Sequence, residues 1–370
     1  MPASQAKVRV LIVDDSPLMR SLLKRALGAH PQIEVAGHAV DGGDALRQIA
    51  TLRPDVVTLD VEMPNLNGLG VLERAAGKLP VAFVMVSTLT EAGARITLEA
   101  LRKGAFDYIP KPRTSGASAE EFEAEVHRKV LAAARAKGRT RILRAGNPET
   151  TAPQLPPNAV RGWVVALGIS CGGPQTLSQM LPAFPSDFVP IVVTQHMPAQ
   201  FTGPFAAQLG HLCAMRVQEA QHGAPLEQGT IYIAPGSHHL KVVRVGVELR
   251  TELDGGAKVS GHRPAVDVMF DSLARACPTH CVAAVLTGMG SDGAQGTVRL
   301  HTAGAWTLAQ DADTSLVYGM PKAAAETGAV DQIVPLGRMP GVIANLLQRG
   351  VRRRTPGMAV AGAPPGTAPR

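Results

Sequence analysis

The chain has 370 residues, enough for two domains of ordinary size with connecting segments. Apolar residues make up 45%, which excludes wholesale disorder and supplies a sizeable core. Lys and Arg number 37 against 30 Asp and Glu, and the net charge of +7 points to nucleic acid or a membrane surface only if the excess clusters on a folded face.

From Val8 to Lys137, short β-branched runs alternate with helical stretches. Strands are predicted at Val8–Val13, Glu34–Ala39, Val56–Leu59, Ala82–Val86 and Phe106–Ile109. Helices are predicted near Pro17–Leu27, Asp44–Ala50, Gly68–Arg74, Glu91–Lys103 and Ala119–Ala136. Continuous apolar strands separated by helices imply a parallel sheet covered on both faces, hence a doubly wound domain over residues 1–137. Residues 138–158 break the pattern with three arginines followed by Pro148, Pro153, Pro156 and Pro157, which reads as a linker. A second α/β domain, 159–350, opens at Trp163. Its predicted strands are Trp163–Gly168, Pro190–Thr194, Thr230–Ala234, Val282–Thr287 and one near Ala305–Ala309, with a hairpin from Lys241 to Arg250. Residues 351–370 are rich in Ala, Gly and Pro without periodicity and read as a disordered tail. The fold class expected is therefore α/β, two doubly wound parallel-sheet domains joined by a linker.

Cys171, Cys213, Cys277 and Cys281 are too few for a disulfide scaffold, and Cys277 and Cys281 around His280 lack a fourth ligand for zinc. No apolar run approaches the roughly 18 residues needed to span a bilayer, and no signal-peptide core precedes Val8. The expectation is a cytoplasmic protein without membrane insertion.

In a doubly wound sheet, working residues gather at the carboxyl ends of the strands. In the first domain those ends carry Asp14 and Asp15, Asp60, Ser87, and Tyr108 with Lys111. Three carboxylates in one place repel one another and call for a cation. Hard oxygen ligands suit Mg²⁺, and a carboxylate beside Mg²⁺ can accept a phosphoryl group. Taken singly, each residue also reads as a turn, a cap or a surface lysine; their joint placement favours a site. The segments LIVDD (11–15), TLDVEMPNLNG (58–68), VMVS (84–87) and DYIPKP (107–112) resemble the receiver domain of bacterial response regulators. That resemblance implies that Asp60 is phosphorylated, that Asp14, Asp15 and Asp60 hold Mg²⁺, and that Lys111 contacts the phosphoryl group. It also implies that Ser87 and Tyr108 form the switch pair and that the Lys111–Pro112 bond is cis.

The commonest output of such regulators binds DNA. Residues 159–350, however, carry 12 Lys and Arg against 13 Asp and Glu, with no basic helix. Most of the +7 lies in the linker and the tail, so specific nucleic-acid binding is not expected. Gly168-Ile-Ser170-Cys-Gly172 lies between an apolar strand and a helix opening at Pro174. It matches the G-x-S-x-G elbow that exposes a serine oxygen. The N–H groups of Cys171, Gly172 and Gly173 are candidates for an oxyanion site. His196 and Asp292 follow two further strands, and Ser, His and Asp at three strand ends can converge. The order Ser, His, Asp differs from that of the α/β-hydrolases. Eight of the 11 histidines lie in this domain, so His238, His239 and His262 remain open as alternatives to His196 on spacing alone. A rival reading is dinucleotide binding, because Gly288-Met-Gly290-Ser-Asp-Gly293 fits G-x-G-x-x-G and Asp311 follows the next strand. Asp292 would repel a pyrophosphate there.

Whole segments separate the rivals. GISCGGP (168–174), TQHMP (194–198), YIAPG (232–236), HRPAVDVMF (262–270), LTGMGSDG (286–293) and GAWTLAQD (304–311) resemble the catalytic domain of the chemotaxis protein-glutamate methylesterases. The order receiver then esterase is similar to that family along nearly the full chain. The resemblance implies Ser170 as nucleophile, His196 as base, Asp292 as orienting acid, and Cys171, Gly172 and Met289 near the oxyanion. Many members carry Thr or a small residue where Cys171 stands, so any hydroxyl role at that position is not expected here. The implied activity is hydrolysis of glutamate γ-methyl esters on chemoreceptors, with deamidation of receptor glutamines. A histidine kinase would be the phosphodonor, and the catalytic domain would need no cofactor. The unphosphorylated receiver is implied to cover the active site. A regulator with a dinucleotide-binding or DNA-binding output is the alternative.

Overall fold

A computed structural model describes residues 6–112, 119–137 and 161–350. The expected linker and tail, 138–158 and 351–370, lie outside the described residues. The first sheet contains β1 (Val8–Val13), β2 (Ile33–Ala39), β3 (Val56–Asp60), β4 (Ala82–Ser87) and β5 (Asp107–Pro110). Their spatial order is β2-β1-β3-β4-β5 and every pairing is parallel. The helices α1 (Pro17–Gly28), α2 (Gly42–Leu52), α3 (Gly68–Ala75), α4 (Glu91–Arg102) and α5 (Ala119–Arg135) connect or follow these strands. Polar caps set the helix starts: Ser16, Asp41, Asn67 and Thr90 each accept a backbone N–H from the first turn. β3 and β4 are buried along their whole length. Their apolar runs therefore do not alternate, as a sheet covered on both faces requires.

The second sheet is built from β6 (Val164–Ile169), β7 (Ile191–Gln195), β8 (Arg216–Glu219), β9 (Thr230–Ile233), β12 (Cys281–Val285), β13 (Trp306–Gln310) and β14 (Gln332–Val334). Its order is β14-β13-β12-β6-β7-β9-β8, again all parallel. A separate antiparallel hairpin joins β10 (His239–Val245) to β11 (Glu248–Asp254). The helices are α6 (Gly173–Met180), α7 (Ala199–Gly210), α8 (Val266–Ala276), α9 (Ala294–Ala303), α10 (Met320–Glu326) and α11 (Met339–Arg349). The chain winds outward from β6 through β7, then returns to place β12 on the other side of β6. That reversal makes a crevice at the carboxyl ends of β12, β6 and β7, where such sheets bind ligands.

Two strands escape the sequence pattern, β8 and β14. Both are short sheet-edge strands, and β8 has no fully buried residue. An edge strand needs little apolar content, so composition does not flag it. The hairpin is also longer at both ends than its apolar centre suggests. Among the described residues no helix is long and apolar enough to cross a membrane. The four cysteines are free thiols, three of them buried.

The two domains meet across a packed interface. Helix α4 of the first domain packs on α6 and α7 of the second. The Tyr108 ring stacks on Phe201 with centroids 4.6 Å apart and planes 8° from parallel.

Candidate active site

In the first domain, the parallel register brings Asp14, Asp15, Asp60, Ser87 and Lys111 to one edge of the sheet. One carboxylate oxygen from each of Asp14, Asp15 and Asp60 lies within 4.8 Å of the others. Lys111 Nζ donates to Asp60 Oδ2 at 2.7 Å and lies 3.2 Å from Asp14 Oδ2. Burial, then the Asp14 charge, raise the Asp60 carboxyl against the pull of Lys111, to about 6. Lys111 itself sits above its usual value, because Asp60 and Asp14 outweigh the cost of its burial. Asp14 Oδ2 is buried without a hydrogen bond. Three carboxylate oxygens that converge in an all-oxygen cluster fit a hard divalent cation, so these three residues could bind Mg²⁺. Ser87 and Lys111 line the adjoining cavity of about 340 Å³ with Asp15 and Asp60. The Ser87 hydroxyl accepts from Thr97 Oγ1 at 2.6 Å.

The Lys111–Pro112 bond departs from expectation. Among the described residues the cis peptide is Arg263–Pro264, and Lys111–Pro112 is trans. Lys111 reaches both carboxylates from that backbone, and trans is the favoured isomer by roughly 0.5–1 kcal/mol.

In the second domain, β12, β6 and β7 are neighbours, and their ends carry Asp292, Ser170 and His196. Ser170 is held by its main chain on both sides. Its N–H donates to Thr287 O at 3.0 Å, and its carbonyl accepts from Gln195 Nε2 at 3.0 Å. The tight turn needs Gly172, with φ of 77° at the start of α6; a Cβ there would strike Leu316. Gly288 lets the neighbouring loop approach, since its Cβ would lie 2.9 Å from Ser170 Cβ.

Asp292 is 2% exposed and fully engaged. Oδ2 accepts from His196 Nε2 at 2.7 Å and from the Val266 N–H at 2.7 Å, and Oδ1 accepts from the Asp267 N–H at 2.9 Å. Burial alone would raise this carboxyl. The His196 bond and the N–H donors outweigh it and hold the group below its usual range. With Nε2 donating to Asp292, His196 Nδ1 carries the lone pair. It is buried and without a partner among the described residues. Ser170 and His196 line the same cavity of about 320 Å³.

The structure thus closes the His–Asp contact and leaves the Ser170–His196 hydrogen bond unformed. Such contacts often tighten only around substrate. The N–H groups of Cys171 and Gly172 are unengaged among the described residues, whereas Gly173 donates to Ser170 O at 2.9 Å. The oxyanion donors expected from the sequence therefore shrink from three to two. Met289 does not line the cavity; it packs with Leu316 and Cys171 toward the first domain. His239 accepts the Ala265 N–H at 3.1 Å and faces Ala257 O, which removes it from the alternatives for the base. The Gly288–Gly293 loop is spent on Asp292, and Asp311 caps the turn at Thr314.

The first domain closes this cavity. Asp107, Tyr108, Pro110, Glu125, Arg128 and Lys129 supply its opposite wall. The Cys171 thiol donates to Asp107 Oδ2 at 2.8 Å, and Lys129 Nζ, buried beside Asp107 and Glu125, donates to Tyr108 O. Burial first, and the Asp107 charge second, push the Cys171 thiol well above its ordinary value, so it is no nucleophile here. Gln175 Nε2 donates to Ala105 O at 2.7 Å and to Phe106 O at 3.3 Å.

Both domains match known families. The family described as CheB methylesterase matches residues 165–343, and the response regulator receiver domain matches residues 10–121. A Caulobacter vibrioides protein named protein-glutamate methylesterase/protein-glutamine glutaminase 1 is 49% identical, covering 92% of this chain and 98% of that protein. The chain belongs to the protein-glutamate methylesterase family. A Pyrococcus abyssi member named protein-glutamate methylesterase/protein-glutamine glutaminase is 41% identical over 94% of this chain and 96% of its own length. A Pseudomonas aeruginosa member with the same name and the number 2 is 43% identical over 94% and 98%.

Several residues around the site were not legible beforehand. Gln195, which also bonds His196 O at 3.0 Å, and Thr287, which bonds Cys171 O at 3.0 Å, hold the loops around Ser170 and His196 in place. Both fall inside segments that resemble the family, TQHMP and LTGMGSDG, and that position was their one signal. Asp107, Gln175 and Lys129 act across domains and left no local pattern.

Proposed function

We propose that the chain is a phosphorylation-activated serine hydrolase that removes methyl groups from glutamate γ-methyl esters on chemoreceptors. The observation that carries this reading is the buried His196–Asp292 pair. It leaves a lone pair on Nδ1 in the cavity that Ser170 shares. His196 Nδ1 takes the hydroxyl proton as Ser170 Oγ attacks the ester carbonyl. The Cys171 and Gly172 N–H groups stabilise the developing oxyanion. Asp292 stabilises the imidazolium through Nε2. The proton then passes to the leaving methoxide, giving methanol and an acyl-enzyme. Water, deprotonated by the same imidazole, releases the glutamate carboxylate and restores the serine. A glutamine amide enters the same sequence with ammonia as leaving group, in keeping with the second half of the relatives' name.

Control comes from the first domain. A chemosensory histidine kinase donates a phosphoryl group to Asp60, with Lys111 paired to its oxygens and Ser87 within reach. Asp14, Asp15 and Asp60 would hold Mg²⁺, which supplies positive charge to the phosphoryl oxygens. In the unphosphorylated state the receiver walls off the cavity through Asp107 and Tyr108, and Gln175 of the second domain bonds its backbone. Phosphorylation moves β5 and releases it. The test is methanol release from methylated receptor membranes, with and without acetyl phosphate. The parent should release methanol faster with the phosphodonor, and Ser170→Ala should release none. Undiminished release by Ser170→Ala would overturn the nucleophile assignment.

A further inference from the structure

The mechanism leaves one ring at the site without a task. His262 stacks on His196 with ring centroids 3.7 Å apart and planes 10° from parallel. We infer that His262 is a positioning residue for the base: its imidazole, face to face with that of His196, fixes the plane in which His196 is held by Asp292 and offers Nδ1 to Ser170. This rests on His196 being the base.

The argument begins with what holds His196. One side-chain hydrogen bond, to Asp292 Oδ2, restrains its ring. The torsion that turns an imidazole about its Cβ–Cγ bond is broad, so a single bond leaves the ring free to tilt. A second flat ring in van der Waals contact removes that freedom.

His262 can serve as such a plate because its own backbone is pinned. Val259 and His262 exchange both backbone hydrogen bonds, at 3.0 and 2.9 Å, around Ser260 and Gly261. Both turn residues have positive φ, 53° and 79°, which is a tight two-residue hairpin turn. On the other side, Arg263 donates from one guanidinium nitrogen to Gly255 O and Gly256 O, each at 2.8 Å. Val266, four residues on, donates its N–H to the same Asp292 oxygen that His196 uses. One short segment therefore carries both the plate and a tether to the acid.

Charge favours the same role. Burial foremost, then His196, with Arg128 and Lys258, lower His262 to about 4 against the opposing pull of Asp292. A neutral ring can lie against the imidazolium that forms on His196, whereas a charged one would repel it. The π-face of a neutral ring attracts a cation. Both rings belong to the second domain, so the stack survives release of the receiver.

The experiment uses the full chain with acetyl phosphate and measures kcat and KM for methyl ester hydrolysis. Ser170→Ala and parent serve as references. His262→Ala should lower kcat roughly tenfold with KM nearly unchanged, and His262→Phe, which keeps a flat ring, should recover most of the loss. A kcat for His262→Ala within threefold of parent would overturn the inference. So would a His262→Phe as slow as His262→Ala, since that would assign the role to an imidazole nitrogen. A parent without activity, or an active Ser170→Ala, would instead overturn the underlying assignment of the site.

Discussion

Gln175 is the sharpest probe of how the receiver restrains the enzyme. It sits on α6, one turn beyond Ser170, and its amide crosses to Ala105 O at 2.7 Å and Phe106 O at 3.3 Å. Its Oε1 is buried and unpartnered, so the side chain's contribution to docking comes from the donor alone. A hydrogen bond of this kind contributes about 0.5–1.5 kcal/mol net, and the longer one less. Replacing Gln175 by Ala removes both bonds, so docking weakens by about 1–2 kcal/mol. Each 1.4 kcal/mol is a factor of ten, which raises the undocked fraction roughly 5- to 30-fold as long as docking still dominates. Methanol release from methylated receptor membranes without phosphodonor should rise by that factor. The rate with saturating acetyl phosphate should match parent, because the released enzyme no longer uses the contact. If the unphosphorylated rate stays within twofold of parent while the phosphorylated rate is intact, the α6 contact does not restrain the enzyme and the reasoning fails.

Asp292→Asn should lower kcat about 10³- to 10⁴-fold, as loss of the acid that orients a catalytic histidine does elsewhere; a loss under tenfold would show that His196 needs no orienting acid. Added Mg²⁺ should raise the melting temperature of the parent, with about 2.7 kcal/mol of stabilisation at a hundred times its Kd. Asp60→Asn should abolish both that shift and labelling by acetyl phosphate, and surviving label would move the phosphorylation site. His262 has a folded pKa of about 4 against an ordinary 6.5, so the unfolded chain binds more protons between those values. Its contribution lowers stability as pH falls from 6.5 toward 4. Chemical denaturation of His262→Phe should lose less stability than parent over that window, and parallel curves would refute the assignment.

Much was legible in the chain itself. Continuous apolar strands and their polar ends placed Asp14, Asp60, Ser87 and Lys111 at one edge, and Ser170, His196 and Asp292 at another. Alternation of strand and helix forces that geometry, because a parallel sheet sends every strand end to the same side. The glycines at 168 and 172 marked the sharp turn at Ser170 for the same local reason. Tertiary structure alone decided which of eight histidines meets Asp292 and that His262 lies flat on His196. It alone set Asp107 against Cys171, Tyr108 against Phe201, and Gln175 against the receiver backbone. Those choices depend on contacts between segments 64 to 96 residues apart. No local periodicity records such pairings, because strand order and domain docking emerge only when separate faces are buried together.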